Sequence, residues 1–317
     1  MKDALPLPDL VIGDLHINPP IIQGGMGVRV SGPRLASAVS NEGALGVVAA
    51  VGTGEEWPDR TLNYAERSYV SLRHLLQQTR SLTKRPFGIN IMCALTNYDD
   101  LVKAADEEKV DVIISGAGLP LKLPALVKNP HTKLVPIVSS DRATDLICRS
   151  WLRKHNRLPD AFVVEGSMAG GHIGLSMNEV IEEHLPLETI VESVLVVTER
   201  YAREHGRPIP VIAAGGVFTG EDIARFLALG ASGVQMGTRF VCTHECDASQ
   251  EYKDAYVNCT EKDIIVIKSP VKLPLRVIRN GFVDRLINGG REKFSCPYHC
   301  LATCEPGTSP YCIAEAL

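Results

Sequence analysis

No run of apolar residues in this 317-residue sequence approaches the roughly 18 that a membrane span requires. The opening stretch, MKDALPLPDLVIGDL, sets acids and prolines where a secretory signal needs an uninterrupted apolar core. A cytoplasmic protein without membrane attachment is therefore expected. Strong charge of either sign is also missing: 33 basic residues stand against 37 acidic ones, a net charge of -4. That leaves no basis for a nucleic-acid or polyanion surface and favours small-molecule partners, with a homo-oligomer left open. The nine cysteines are an odd number without a disulfide-framework pattern over most of the chain, which suits reduced thiols. No internal repeat, no low-complexity segment and no G-x-G-x-x-G turn after an apolar run occurs, so the open sheet with a dinucleotide fingerprint is disfavoured.

Eight short apolar runs are present, most ending in Gly, Ser or Asn, and begin at Pro20, Leu45, Pro86, Val110, Leu134, Ala161, Pro210 and Gly233. Continuous rather than alternating apolarity marks strands buried on both faces, as in a parallel sheet covered by helices. Helical patterns lie between them. Ile223, Phe226 and Leu227 share a face behind a Thr219 cap, with Gly230 as a left-handed stop, and Ser31 before Pro33 opens a helix that stops at Gly43. The expected fold is a (β/α)8 barrel over residues 1–290, with an insertion at 167–209 after the sixth strand and a Cys-rich tail at 291–317.

Reactive groups of such a barrel sit on the loops after the strands. Ala214, Gly215 and Gly216 follow the seventh strand, and Met236, Gly237 and Thr238 follow the eighth, where glycines let backbone N–H groups approach a phosphate. Gln23, Gly24, Gly25 and Met26 end the first strand and Asn90 lies in the third, suited to a flat ring with a polar edge. Met26 and Met92, taken alone, read more readily as core filler than as ring contacts.

These blocks together, Gln23-Gly-Gly-Met26, Pro86-Phe-Gly-Ile-Asn-Ile-Met92, Ala169-Gly-Gly-His-Ile-Gly174, Ala213-Ala-Gly-Gly216 and Gly237-Thr-Arg-Phe240, resemble the nitronate monooxygenase (2-nitropropane dioxygenase) family. They are also similar to the flavin-dependent enoyl-acyl-carrier-protein reductase. The resemblance spans about residues 18–290 and implies a barrel holding FMN, its phosphate on the loops just named. It also implies oxidation of alkyl nitronates to a carbonyl compound and nitrite with dioxygen. Reduction of an enoyl thioester with a nicotinamide donor is the alternative, and a flavin redox or electron-transfer module is another.

His172 stands between Gly170, Gly171 and Gly174, glycines that let the sixth loop bend over a ring and present an imidazole to substrate. With an ordinary pKa of about 6.5 it can exchange a proton near neutrality, and it is the expected catalytic residue. Glu165 and Ser139 end strands facing the same mouth, and each reads equally as a loop brace. Finally, Cys296, Cys300, Cys304 and Cys312 fall in a C-x3-C-x3-C-x7-C spacing. Four crowded thiols suit an iron-sulfur cluster or zinc, although this is not the common C-x2-C zinc pair, and cysteines without a metal or disulfides formed on oxidation are equal alternatives.

Overall fold

A computed structural model describes residues 7–183, 185–292, 294–296 and 298–312. The chain opens with a hairpin of β1 (Leu10–Ile12) and β2 (Leu15–Ile17), then alternates β3 (Ile21–Gln23), α1 (Pro33–Asn41), β4 (Gly46–Ala49), α2 (Tyr64–Leu82), β5 (Phe87–Met92) and α3 (Tyr98–Glu107). Next come β6 (Val112–Gly116), α4 (Leu123–Leu126), β7 (Lys133–Val138), α5 (Asp141–His155), β8 (Phe162–Glu165), the two-residue β9 (Gly171–His172), α6 (Met177–Ile181) and α7 (Leu187–His205). The rest comprises β10 (Val211–Ala214), α8 (Gly220–Leu229), β11 (Gly233–Met236), α9 (Thr238–Val241), α10 (Gln250–Asn258), β12 (Ile264–Lys268), β13 (Pro274–Ile278) and α11 (Gly281–Ile287).

Eight strands form one parallel sheet in the order β3-β11-β10-β8-β7-β6-β5-β4. Its edges meet: Ile22 bridges Leu45, Leu45 N–H donates to Ile21 O and Gln23 N–H donates to Leu45 O, each bond 2.9 Å. The result is the expected (β/α)8 barrel, and its strands are the eight apolar runs. Their continuous apolarity has a simple cause. Val112, Ile114, Val163 and Ile212 point inward, where they pack with Leu10, Ile12 and Ile17 of the first hairpin. The residues between them, Ile113, Phe162, Val164 and Val211, pack outward beneath the helices. The hairpin closes the end where the strands begin, and its Asp14 pairs with Lys133 at the start of β7.

The α8 helix has the caps read from sequence: Thr219 accepts from Asp222 N–H in a capping box, and Gly230 ends the helix at φ +112°. α1 differs from expectation. Its N-cap is Gly32, which has no capping side chain, and the carboxylate of Asp247 supplies the cap by accepting from Gly32 and Leu35 N–H at 2.9 and 3.1 Å. Ser31 instead turns its hydroxyl to Gln23 and to Met26 N–H.

Within the expected connection 167–209, α7 packs on α5 and β10 as the barrel's own sixth helix, so the added piece is the loop carrying β9 and α6. After the barrel, β12 and β13 form an antiparallel hairpin whose inner strand pairs with β9, Leu275 opposite His172 and Arg276 opposite Gly171. The final segment lies back on the barrel. Thr96 N–H donates to Cys300 O at 3.1 Å and Ala302 N–H to Ala94 O at 2.8 Å, while the rings of Phe282 and Tyr311 meet edge to face at 5.4 Å. No helix among the described residues is long and apolar enough to cross a membrane.

Candidate active site

The loops after the strands surround one cavity of about 1290 Å³. Twelve of the expected cofactor residues line it: Gly24, Gly25, Met26, Asn90, Gly170, Gly171, Ala214, Gly215, Gly216, Met236, Gly237 and Thr238. Gln23 does not. Wholly buried beneath the loop, it accepts from Val47 N–H at 3.0 Å and donates to Ser31 Oγ at 2.8 Å, so it ties β3 to β4 and holds the loop from below.

Two glycine features show why no other residue serves. A Cβ on Gly25 would stand 2.4 Å from Asn90 Cβ, so only glycine lets the first loop pass across the third strand. Gly215 and Gly216 adopt φ +93° and +86°, with Ala169 and Met168 close against them, which presses the seventh loop onto the sixth. The loops after β10 and β11 thus lie together at the mouth, as a phosphate site requires.

His172 lies beneath the β12–β13 hairpin, and its Nε2 sits 3.0 Å from Ser269 Oγ. Val271 N–H donates into the same Oγ at 3.2 Å. Where the hydroxyl proton goes to Nε2, the ring proton stands on Nδ1; the oxygen's second lone pair equally accepts from Nε2–H in the other tautomer. Burial brings the imidazole pKa down to about 4, because the site solvates the cation poorly. His172 is neutral at pH 7, an acceptor at one nitrogen and a donor at the other.

Glu165, on the inward face of β8, lines the same cavity. Burial raises its carboxyl pKa to about 7, against the opposing effect of a hydrogen bond from Gly174 N–H. It therefore both lines the mouth and ties the end of the His172 loop. Gln235, inward on β11, was not anticipated: the residue lines the cavity, and among the described residues its buried Oε1 has no hydrogen-bond partner. An orphaned acceptor of that kind marks a place for a donor on a bound group.

Flavin is the group that the family resemblance implies, and the residues fit it. Gln235 offers an acceptor and Asn90 an amide to a ring with N–H and carbonyl edges, Gly24 and Gly25 permit close approach to the ring, and the two glycine loops suit a phosphate.

The tail cysteines show no arrangement that supports the metal expectation. Cys296, Cys300, Cys304 and Cys312 are all free thiols, and no group of three or more His, Cys, Asp or Glu among the described residues could hold a metal ion. Burial, with Cys312 and Cys296 nearby, pushes the Cys300 thiol up to about 12, so without a bound cation it is protonated. Backbone hydrogen bonds and ring packing hold the tail instead, and Cys300 and Tyr311 form part of the cavity wall. The signal for the roof was present in the sequence: Ile264-Ile-Val-Ile-Lys268, then a Ser-Pro turn, then Leu275-Arg-Val-Ile278, two β-branched runs about a breaker.

Comparison with known proteins agrees with this geometry. The family model for nitronate monooxygenase matches residues 9–108 and 94–309. A (3aS,4S,5R,7aS)-5-hydroxy-7a-methyl-1-oxo-octahydro-1H-indene-4-carboxyl-CoA dehydrogenase of Rhodococcus jostii is 28% identical over 274 residues, covering 86% of this chain and 66%, just under two thirds, of that protein. A probable nitronate monooxygenase of Staphylococcus aureus is 26% identical over 307 residues, covering 86% of this chain and 78% of that one. Among solved structures, FabK from Thermotoga maritima superposes with TM-score 0.67 at 34% identity, covering 86% of this chain and 75% of that one. A nitroalkane oxidase from Streptomyces ansochromogenes gives TM-score 0.70 at 22% identity, over 92% and 82%, a likeness of fold.

Proposed function

Because this chain belongs to the nitronate monooxygenase family, whose members are flavin-dependent oxidoreductases, we propose that it holds FMN across the barrel mouth and oxidises an alkyl nitronate with dioxygen to a carbonyl compound and nitrite. The observation that carries this reading is His172, neutral at pH 7 and fixed by Ser269 at the edge of a glycine-lined cavity. A base whose conjugate acid has a pKa near 4 is a poor acceptor for a carbon-bound proton. It is well suited to a substrate that arrives already as the anion, which the Nδ1–H can orient by a charge-assisted hydrogen bond.

When bound, the flavin supplies the electron acceptor. The loops around Gly25 and Gly216 would hold the ring and phosphate, Gln235 and Asn90 would serve its polar edges, and the β12–β13 roof would cover the site. FMN rather than FAD is expected because the paired glycine loops form one compact anion site and no dinucleotide turn is present.

One observation favours a second reading. The cavity, about 1290 Å³, exceeds the roughly 300–1,000 Å³ usual for a single small-ligand site and leaves room for an elongated reactant beside the flavin. The dehydrogenase relative acts on an acyl-CoA by its name, and reduction or oxidation of an acyl thioester with a nicotinamide partner is the corresponding activity here. Anaerobic holoenzyme mixed separately with a short alkyl nitronate, NADH and NADPH decides between them. Bleaching of the flavin by the nitronate alone supports the first reading, and bleaching by a nicotinamide without response to nitronate replaces it with the second.

A further inference from the structure

Seven titratable charged or imidazole side chains line the cavity: Glu55, Glu165, Glu179, Asp263, His172, Arg276 and Arg279. Most have an evident partner. Glu55 pairs with Arg29 at 3.1 Å, Arg279 with Asp284 at 2.6 Å, and Glu179 and Asp263 accept from Ser176 and Thr260 N–H at 2.7 Å each. Glu165 takes Gly174 N–H and His172 takes Ser269. Arg276 differs. Its Nη1 donates to two neutral carbonyls, Ser167 O at 2.9 Å and Ala169 O at 3.3 Å, and among the described residues no carboxylate lies within 4.0 Å of it. The guanidinium is half-buried in the roof, one residue beyond the partner of His172, and sits over the loop that packs against Gly215. Burial here even works against its charge. A sequestered cation held in place by neutral acceptors, with further N–H donors left over, is arranged to meet an anion from outside the protein.

We infer that Arg276 is the receptor for an oxyanion carried by the reacting molecule, and so selects anionic reactants at this mouth. This deepens the reading of the cavity as a flavin oxidoreductase site and rests on it. Two sources share the chemistry: a planar two-oxygen head such as a nitronate or carboxylate, and the phosphate of a nicotinamide or thioester carrier. The guanidinium can meet either through paired N–H donors.

The test measures anion binding, not turnover, so failure of nitronate oxidation would leave it standing. FMN-loaded protein is titrated with acetate and, separately, with inorganic pyrophosphate, following the flavin absorption spectrum and the melting temperature, which rises with any ligand that binds only the folded state. Arg276→Gln keeps an N–H for the Ser167 and Ala169 carbonyls but removes the charge. Arg276→Lys keeps the charge but loses the fork. The wild type should bind at least one anion saturably, the Gln variant at least tenfold more weakly, and the Lys variant should lose about threefold or more. Preference for acetate assigns the planar head of the substrate, and preference for pyrophosphate assigns a phosphate. No saturable binding of either anion by the wild type, or affinity unchanged in whichever variant retains FMN, overturns the inference.

Discussion

The mouth of this barrel and the roof over it are built from different materials. Around the mouth the chain offers close-approach backbone at Gly24, Gly25, Gly215, Gly216 and Gly237, with a few side chains such as Asn90 and Gln235 between them. The roof offers side chains: Ser269 on His172, Arg276 over the sixth loop, Cys300 and Tyr311 along the wall. A backbone cradle accepts a flat phosphorylated group whatever stands above it, whereas discrimination among substrates needs functional groups. Cofactor binding and substrate choice are thereby separated, and the separation can be broken from either side.

The largest effect should come from His172, the one imidazole that joins the two regions. His172→Ala should leave FMN bound, because the cradle is intact, and lower turnover by about tenfold to a hundredfold, the worth of one hydrogen bond to a charged group. Flavin content by absorbance and steady-state rates check both halves. An unchanged rate would remove His172 from the chemistry. Breaking the mouth should do the reverse. In Gly216→Val a branched side chain meets Met168 and a φ of +86°, a strain of about 1–3 kcal/mol, in the loop on which the phosphate approaches. FMN affinity should fall by about tenfold or more, read by titrating apo protein with FMN. Tight binding retained would move the phosphate elsewhere.

The same division explains what was legible in the sequence. Mouth residues announce themselves because each strand is an unbroken apolar run punctuated by glycine, and local punctuation suffices to place Gly216 or Asn90 at the strand ends. Gln23 was placed one layer too high for the same reason: its neighbours Gly24 and Gly25 do reach the cavity, but its inward-turned amide is consumed by Val47 and Ser31, which no local pattern reveals. The roof depends on contacts between distant residues. His172 and Ser269 lie 97 positions apart, and β13 finds its partner in a two-residue strand inside a glycine loop. The cap of α1 comes from Asp247, 215 positions from Gly32. In the tail, thiol spacing says nothing about burial, and burial is what raises the Cys300 thiol pKa.

A smaller effect tests the carboxyl beneath the roof. Glu165 has a pKa raised by burial to about 7 in the folded protein, against about 4.3 when unfolded. Between those values the unfolded chain sheds a proton that the folded one keeps, so stability falls as pH rises through that window and levels off above about 7. Glu165→Gln removes the penalty. At pH 8 the variant apo protein should be more stable by about 1–2 kcal/mol, a full shift being worth roughly 4 before cavity water screens it, and the gain should vanish by about pH 4. Melting curves across that range measure it. A gain that does not depend on pH would assign the effect to packing.

The smallest expected effect is the most specific to the roof. Ser269 touches neither cradle nor substrate in this account; it positions His172 through its hydrogen bond to Nε2, and we propose that the hydroxyl donates there and keeps the ring proton on Nδ1. Removing one such hydrogen bond costs about 1 kcal/mol, so Ser269→Ala should lower kcat by about fivefold with FMN content unchanged, and Ser269→Thr, which retains the hydroxyl, should recover most of it. A general loosening of the hairpin could also slow the enzyme, so the deciding measurement is the 15N spectrum of His172. The wild type should show a single neutral tautomer protonated at Nδ1, and the alanine variant a mixture of the two. If the alanine variant keeps the wild-type tautomer while losing rate, Ser269 acts through the backbone of the roof and not through the imidazole. The proton on His172 would then have to be held by the cavity itself.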